Sequence, residues 1–407
     1  MNSNDRAITG FTMLAHALFH TYELSIPVFV VAWLDAFSVT PATMGLVVGA
    51  GYALVGVGAL PSGVFSDRFE SRRLIVGALL GMAAGFAALS VAPNVYVVAL
   101  ALALWGAAAS VYHPAGLALL SRGTTERGAA FAYHGAAGNV GTVVGPLLAA
   151  VGLAVLDWRV VTGLFVLPAL LGAAMALRLD FDETAAIEDG ARADGGAAAE
   201  REITSLGDLR RESRALFTGS FLLVFAVIMC YGLYYRGVLT FLPDILGGLR
   251  TFSPATVFGT TVQPGQYVYA GLLLVGVAGQ YVGGRLTDSF DTVRVLVITF
   301  AALAVSSLLF LPAAAAGVLP LLAVCVLLGF LIYVVAPVYQ ATVADHVHAD
   351  VRGLSYGYTY LGMFGVGAGG AALAGAVLTW AGTGALFVVL AGIVLLAAGL
   401  GIALLRR

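Results

Sequence analysis

Lysine is missing from this chain: all 20 basic residues are arginine, set against 22 acidic residues for a formal net charge of −2. The absence removes the P-loop lysine and the Schiff-base lysine, and so argues against chemistry driven directly by a nucleoside triphosphate or through a lysine-bound cofactor. Charge of either sign is scarce, at 10% of 407 residues, where soluble domains carry about 25%. A soluble globule this poor in charge could not cover its own surface. With no basic stripe to neutralise a phosphate backbone, nucleic acid is not an expected partner. Only two cysteines occur, Cys230 and Cys325, each inside an apolar run, which excludes a disulfide framework and a zinc ribbon. No cofactor is called for.

What remains is hydrophobic. The residues AVILMFWYC make up 60% of the chain, before its 52 glycines are counted. A bilayer core requires roughly 20 apolar residues per helix, and runs of that length, separated by charge or turn residues, number twelve. Six lie between Ala7 and Leu177 and six between Ala215 and Leu405. The first is too long for a signal-peptide core and is read as a retained span. Between the groups, an acidic stretch rich in Ala and Gly reads as a solvated linker. The domain division expected is therefore 1–178, a linker over 179–214, and 215–407.

Threading twelve spans with both ends on one side puts Arg68, Arg72, Arg73, Arg122, Arg127, Arg178, the linker arginines, Arg285, Arg294, Arg352, Arg406 and Arg407 there, and leaves only Arg159 and Arg250 in the opposite loops. The positive-inside rule makes the crowded side the cytoplasm. The expectation is a multi-pass protein of the cytoplasmic membrane with both termini in the cytoplasm and the lipid bilayer as its surroundings.

The loop after the second span reads Gly63-Val-Phe-Ser-Asp67-Arg68-Phe-Glu-Ser-Arg72-Arg73, and the loop after the eighth reads Gly284-Arg-Leu-Thr-Asp288-Ser-Phe-Asp-Thr-Val-Arg294. Both have glycine, aspartate four residues on, phenylalanine two later, an acid, a hydroxyl residue and a final arginine. The register continues with Gly106 and Pro114 against Gly329 and Pro337, and with Arg127-Gly128 against Arg352-Gly353. Two parallel six-helix repeats follow, an arrangement that places a binding site between the halves near the bilayer midplane.

With these features the chain resembles the major facilitator superfamily over essentially its whole length. The resemblance implies an all-α membrane protein, twelve transmembrane helices in two pseudo-symmetric six-helix bundles, working as a secondary transporter by alternating access. GVFSDRFESRRL looks like that family's loop motif between spans two and three, departing from it at Glu70 and Ser71. The family implies that Asp67 braces a gate near Arg352, and by pseudo-symmetry that Asp288 sits near Arg127. A carboxylate is favoured at a helix N-terminus and beside arginine. In span five, Gly141, Gly145 and Pro146 resemble the GxxxGP portion of a motif common in the superfamily's exporters and antiporters, and with Gly138 form a smooth face for close helix packing.

Ionisable residues inside a membrane cost at least about 2.5 kcal/mol on insertion scales and are functional candidates by default. In span one His16, His20, Glu23 and Pro27 fall on one helical stripe. In span seven Tyr231, Tyr234, Tyr235, Arg236, Thr240 and Pro243 occupy the matching region, so Glu23 and Arg236 are expected to face a common cavity. Tyr112 and His113 (span four), Tyr133, His134 and Asn139 (span five), Tyr333, Tyr339 and Gln340 (span ten), and Tyr356, Tyr358 and Tyr360 (span eleven) join the candidates. HxxxHxxE, YHP and RGxxTFLP look most like the fosmidomycin-resistance-type branch. Many proton antiporters of the superfamily carry an arginine in span four, four residues before a glycine. Leu102 stands there, so coupling through that residue is excluded.

A carboxylate in a cavity can load and release protons in step with a substrate, which makes Glu23 the first proton carrier and His20 or His113 a relay. Arg236 is fit to hold Glu23 or an anionic substrate with a bidentate fork. The alternative is a structural Glu23–Arg236 ion pair with tyrosines packed around it. The histidines have metal-ligand spacing on one helix face, but no HExxH and no cysteine supports a site, and no metal is expected. Gly365, Gly367 and Gly370 form a GxGxxG inside a transmembrane span with no strand before it, a false dinucleotide fingerprint. The expected function is monomeric transport of a small organic solute, coupled to H+ and running as an exporter, with proton- or sodium-coupled import (symport) of a small organic anion as the alternative. A transporter-like receptor or a membrane-embedded enzyme fits less well, since no nucleophile and base assemble at one depth.

Overall fold

A backbone in hydrocarbon must satisfy its own polar groups, so runs this apolar can cross only as helices or closed barrels. The computed structural model describes residues 1–186, 206–217, 219–257, 259–347 and 352–406, and leaves the side chains of Asp67 and Arg352 outside the description. Among the described residues twelve helices are long and apolar enough to span a membrane. In order they are Ser3–Phe37, Pro41–Gly63, Ser71–Ser90, Val95–Gly123, Arg127–Val155, Trp158–Ala176, Phe221–Gly247, Pro264–Ser289, Thr292–Ala316, Val318–His346, Leu354–Trp380 and Gly382–Leu405, spans one to twelve below.

Three spans are interrupted. Span four breaks at Ser110 and Val111, before His113 and Pro114, and span six breaks at Phe165, before Pro168. Proline ends or kinks a helix because it lacks an N–H and crowds the preceding turn. Span eleven carries a π-helical turn, Leu361–Val366, among its glycines, a local widening of the kind found at functional sites.

Span one packs along span five, and span eight along span ten. A side chain on Gly141 would strike the Ala17 carbonyl, and one on Gly145 the Thr21 carbonyl. The glycine face expected from the sequence therefore packs directly on the backbone of span one, with Gly138 next to the His16 ring and Pro146 buried on the same helix.

The two groups of six helices meet most closely on the side away from the termini. There Gly45 lies on the Ala371 carbonyl, Gly375 on that of Pro41, and the Ala42 amide donates to Thr379 Oγ1 at 2.9 Å. A small antiparallel hairpin, β1 (Ala255–Val257) and β2 (Thr260–Val262), joins spans seven and eight on that side, with Ala255 paired to Val262. The sequence around it, rich in Gly, Thr and Pro, reads as a loop between two spans, and no strand is expected there.

The start of the linker is more ordered than its composition suggests. Glu183 accepts hydrogen bonds from the Ser71 and Arg72 amides at 2.8 and 2.9 Å, capping span three. Phe181 lies under the Arg72 guanidinium at 4.1 Å and beside Phe11, while Asn4 bonds Asp182 and the Gly123 carbonyl. Residues 179–186 thus tie spans one, three and four together. Past the undescribed stretch, a helix Leu206–Phe217 precedes span seven.

Candidate functional site

A cavity of about 270 Å³ lies between the halves, on the terminus side of their closest contacts. From the first half it is lined by His16, His20, Glu23, His113, His134, Asn139 and Thr142. From the second half Tyr231, Tyr235, Gln280, Tyr333, Tyr339, Gln340, Tyr360 and Phe364 line it. One wall is imidazole and amide, and the other is largely tyrosine.

At its base Glu23 and Arg236 form an ion pair across the two halves, Arg236 Nη2 donating to Glu23 Oε1. Both are buried, at 1% and 2% exposure. Tyr52 of span two fixes this pair from both ends: its hydroxyl donates to the Glu23 backbone carbonyl at 2.9 Å, and its ring lies 3.7 Å under the guanidinium. Charge this deeply buried needs such partners. Nothing in the glycine-rich run around Tyr52 marked it in the sequence.

The other carboxylate oxygen faces His20, with Glu23 Oε2 2.7 Å from His20 Nδ1. His20 Nε2 is 3.1 Å from His16 Nε2, and His16 Nδ1 is 2.8 Å from the backbone carbonyl of His134. The His16 and His134 rings stack at 3.9 Å. Tyr112 donates to the Thr12 carbonyl at 2.7 Å, so His134 Nε2, 3.0 Å from that hydroxyl, is the donor in their bond. His113 meets His16 edge to face at 5.3 Å and joins the chain only through ring contacts. Ring nitrogens of His16, His20 and His113 lie within 4.8 Å of one another, a looser spread than the roughly 3.4 Å between nitrogens that a tetrahedral Zn–N distance of about 2.0–2.1 Å gives. Two of the three imidazoles already use both ring nitrogens in the hydrogen-bonded chain, and a closed tetrahedral site takes four ligands.

Several expected residues stand elsewhere. Arg236 is held behind Glu23 and does not line the cavity, because Tyr52 and Tyr235 enclose it. Tyr112 is fully buried against span one, its hydroxyl spent on Thr12 and His134. Tyr358 points away, bonding Ser213 Oγ at 2.7 Å and packing on Phe217. Two residues on along the helix, Tyr360 takes the cavity position, since residues two apart face different sides. Tyr133 is exposed.

Among the described residues, the expected Asp288–Arg127 gate contact is not made. Asp288 and Arg127 are both exposed, and among the described residues no ion pair joins them. The reason is conformational: the halves are drawn together on the opposite side. Gly63 and Gly284 have open space where a side chain would stand. Arg73 pairs with Glu70 at 2.9 Å, Arg68 and Arg294 are exposed, and the Arg294 amide caps onto Asp291 at 2.8 Å. The expected Asp67–Arg352 contact lies outside the described side chains.

Comparisons with known proteins agree with this architecture. The Major Facilitator Superfamily profile matches residues 11–262 and 245–407. An uncharacterized MFS-type transporter of Bacillus subtilis (strain 168), YqjV, is 33% identical over 129 residues, 31% of this chain and 31% of the relative's own length. A bacterial homologue of the human lysosomal transporter Spinster, in an inward-facing and occupied conformation, superposes with a TM-score of 0.76 at 14% identity, covering 100% of this chain and 98% of that one. A POT family transporter in complex with a thioalcohol-conjugated peptide gives 0.74 at 10% identity over 98% and 96%. At such identities these two solved structures speak for the fold alone. Matched along nearly its full length, with twelve spans around a cavity between its halves, this chain belongs to the Major Facilitator Superfamily, a family of secondary transporters rather than enzymes.

Proposed function

We propose that the chain is a proton-coupled exporter of a small organic solute, exchanging solute for H+ by alternating access as a monomer in the cytoplasmic membrane. Both termini lie in the cytoplasm, so the cavity described above is the inward-open one. Residues 1–178 and 215–407 are the two rocking bodies, with 179–214 between them, and the span-one and span-seven motifs support a place in the fosmidomycin-resistance-type branch.

One observation carries the reading: Glu23, the carboxylate at the cavity floor, is shared between His20, which reaches the cavity, and Arg236, which belongs to the other half. A proton arriving at Glu23 through His20 neutralises the charge that holds Arg236, and so alters the contact between the two bodies. The tyrosine and imidazole walls suit a solute with an aromatic or polar face. The GxxxGP segment of span five favours export over import.

The test is flux in proteoliposomes under an imposed pH gradient, with a panel of small organic solutes and Glu23→Gln in parallel. Solute should move against the proton flow in wild type, and the gradient should drive nothing in the variant. Gradient-driven flux that survives Glu23→Gln would overturn the proton assignment, and flux with the proton flow would replace export by symport.

A further inference from the structure

The hydrogen-bonded chain at the cavity floor can be read atom by atom. A backbone carbonyl only accepts, so His16 Nδ1, 2.8 Å from the His134 oxygen, carries a proton. In neutral His16 the Nε2 atom is then bare, and the facing His20 Nε2 at 3.1 Å is the donor. With its Nε2–H committed, His20 meets Glu23 Oε2 through Nδ1, and the 2.7 Å between them holds a single proton. That proton sits either on the carboxylic acid, facing a neutral imidazole, or on an imidazolium, facing a carboxylate. Remove it and two bare acceptors face each other, either at Glu23–His20 or at His20–His16. Add a second and two N–H or O–H donors collide at Glu23–His20.

We propose that His16 is a positioning residue that fixes the tautomer of His20, so that the Glu23–His20 pair holds exactly one proton in the conformation open on the terminus side. Gly138 is part of the device. A Cβ there would come within 2.7 Å of His16 Nδ1, displacing the ring from the His134 carbonyl that sets its tautomer. Gly138 therefore seats a ring as well as packing a helix. The ionisable groups around His16 are His20 and Glu23 on its own helix, Tyr112 and His113 on span four, and His134 on span five. Arg236 of span seven and Tyr360 of span eleven reach it through Glu23 and His113. Gain of a second proton then breaks the chain at Glu23, the residue that also holds Arg236, and loss of the first breaks it there or at His20–His16.

This inference deepens the proton-coupled reading, yet its principal test needs no transport. The chain has six histidines, so ring-15N NMR of histidine-labelled protein can resolve each tautomer, with single His→Gln variants for assignment. His16 should show a protonated Nδ1 and a bare Nε2, the less common form, and Gly138→Ala should convert it to the Nε2–H form. A His16 ring protonated at Nε2 in the wild type, or one unchanged by Gly138→Ala, would overturn the proposal. In transport, His16→Phe, which keeps ring volume but offers no acceptor, should shift the pH profile of gradient-driven flux by a unit or more. An unshifted profile would equally defeat it. Failure of the proton-coupled reading would show instead as flux insensitive to Glu23→Gln, with the His16 tautomer intact.

Discussion

Removing the charge of Glu23 should cost far more stability than removing Arg236, although the two form one ion pair. Both side chains are buried. At an effective dielectric of about 20 and about 3.5 Å between charge centres, their attraction is worth about 5 kcal/mol. Breaking such a pair from one side typically costs about 3–5 kcal/mol, because the remaining charge is left uncompensated. The two remainders differ here. In Glu23→Gln the guanidinium keeps the rings of Tyr52, Tyr235 and Phe364 and an amide oxygen, and its Nε atom already has no hydrogen-bond partner among the described residues. In Arg236→Met the carboxylate keeps His20 at 2.7 Å, and a hydrogen bond to a charged group contributes about 1.5–3 kcal/mol. We expect a loss of about 3–5 kcal/mol for Glu23→Gln, about 1–3 kcal/mol for Arg236→Met, and for the double variant no more than the larger single loss. Reversible unfolding in mixed micelles measures all three as a double-mutant cycle. Single losses that simply add would mean that the side chains do not interact, and a larger loss for Arg236→Met would mean that His20 does not hold the carboxylate.

Two further outcomes follow from the packing. Cysteines at positions 42 and 379, placed by Ala42→Cys and Thr379→Cys where the Ala42 amide meets Thr379 Oγ1, should crosslink on oxidation. The bond would lock the molecule open on the terminus side and stop flux, which a reductant should restore; full transport by the crosslinked protein would refute alternation at this seam. Glu183→Ala removes the cap on span three and should lower unfolding stability by about 1–2 kcal/mol, whereas Asp180→Ala beside it should change little, both read by thermal unfolding in detergent.

The spans were legible because the bilayer imposes one rule on every residue of a helix, and hydropathy reports that rule directly. Depth along a span was legible too, as His16, His20 and Glu23 share a stripe and their rings and carboxylate do meet. Azimuth was harder. Tyr358 and Tyr360 are indistinguishable by composition, and only the phase of a span containing a π turn decides which one reaches the cavity. Tyr52 escaped notice because its role is to stack under a guanidinium from another span, a contact that no local spacing encodes. Glu183 escaped for a different reason: a short acidic segment after a membrane span looks solvated unless the helix terminus it caps is known.

The repeat itself explains why the site is asymmetric. Duplicated halves would present the same groups to the cavity from spans one and seven, and two carboxylates or two guanidiniums facing each other there would repel. Sequence divergence has put the acid and its imidazoles on span one and the arginine among tyrosines on span seven. The ion pair thus joins the two halves, and on the reading proposed above its strength depends on the proton shared by Glu23 and His20 of the first half. A change confined to one bundle thereby acts on the contact between the two, which is the minimum physical requirement for coupling an ion to a rocking motion. Among the described residues, Glu23 and Arg236 are the buried acid–base pair that joins the two halves, whereas the contacts of Gly45, Gly49 and Gly56 in span two with span eleven are steric.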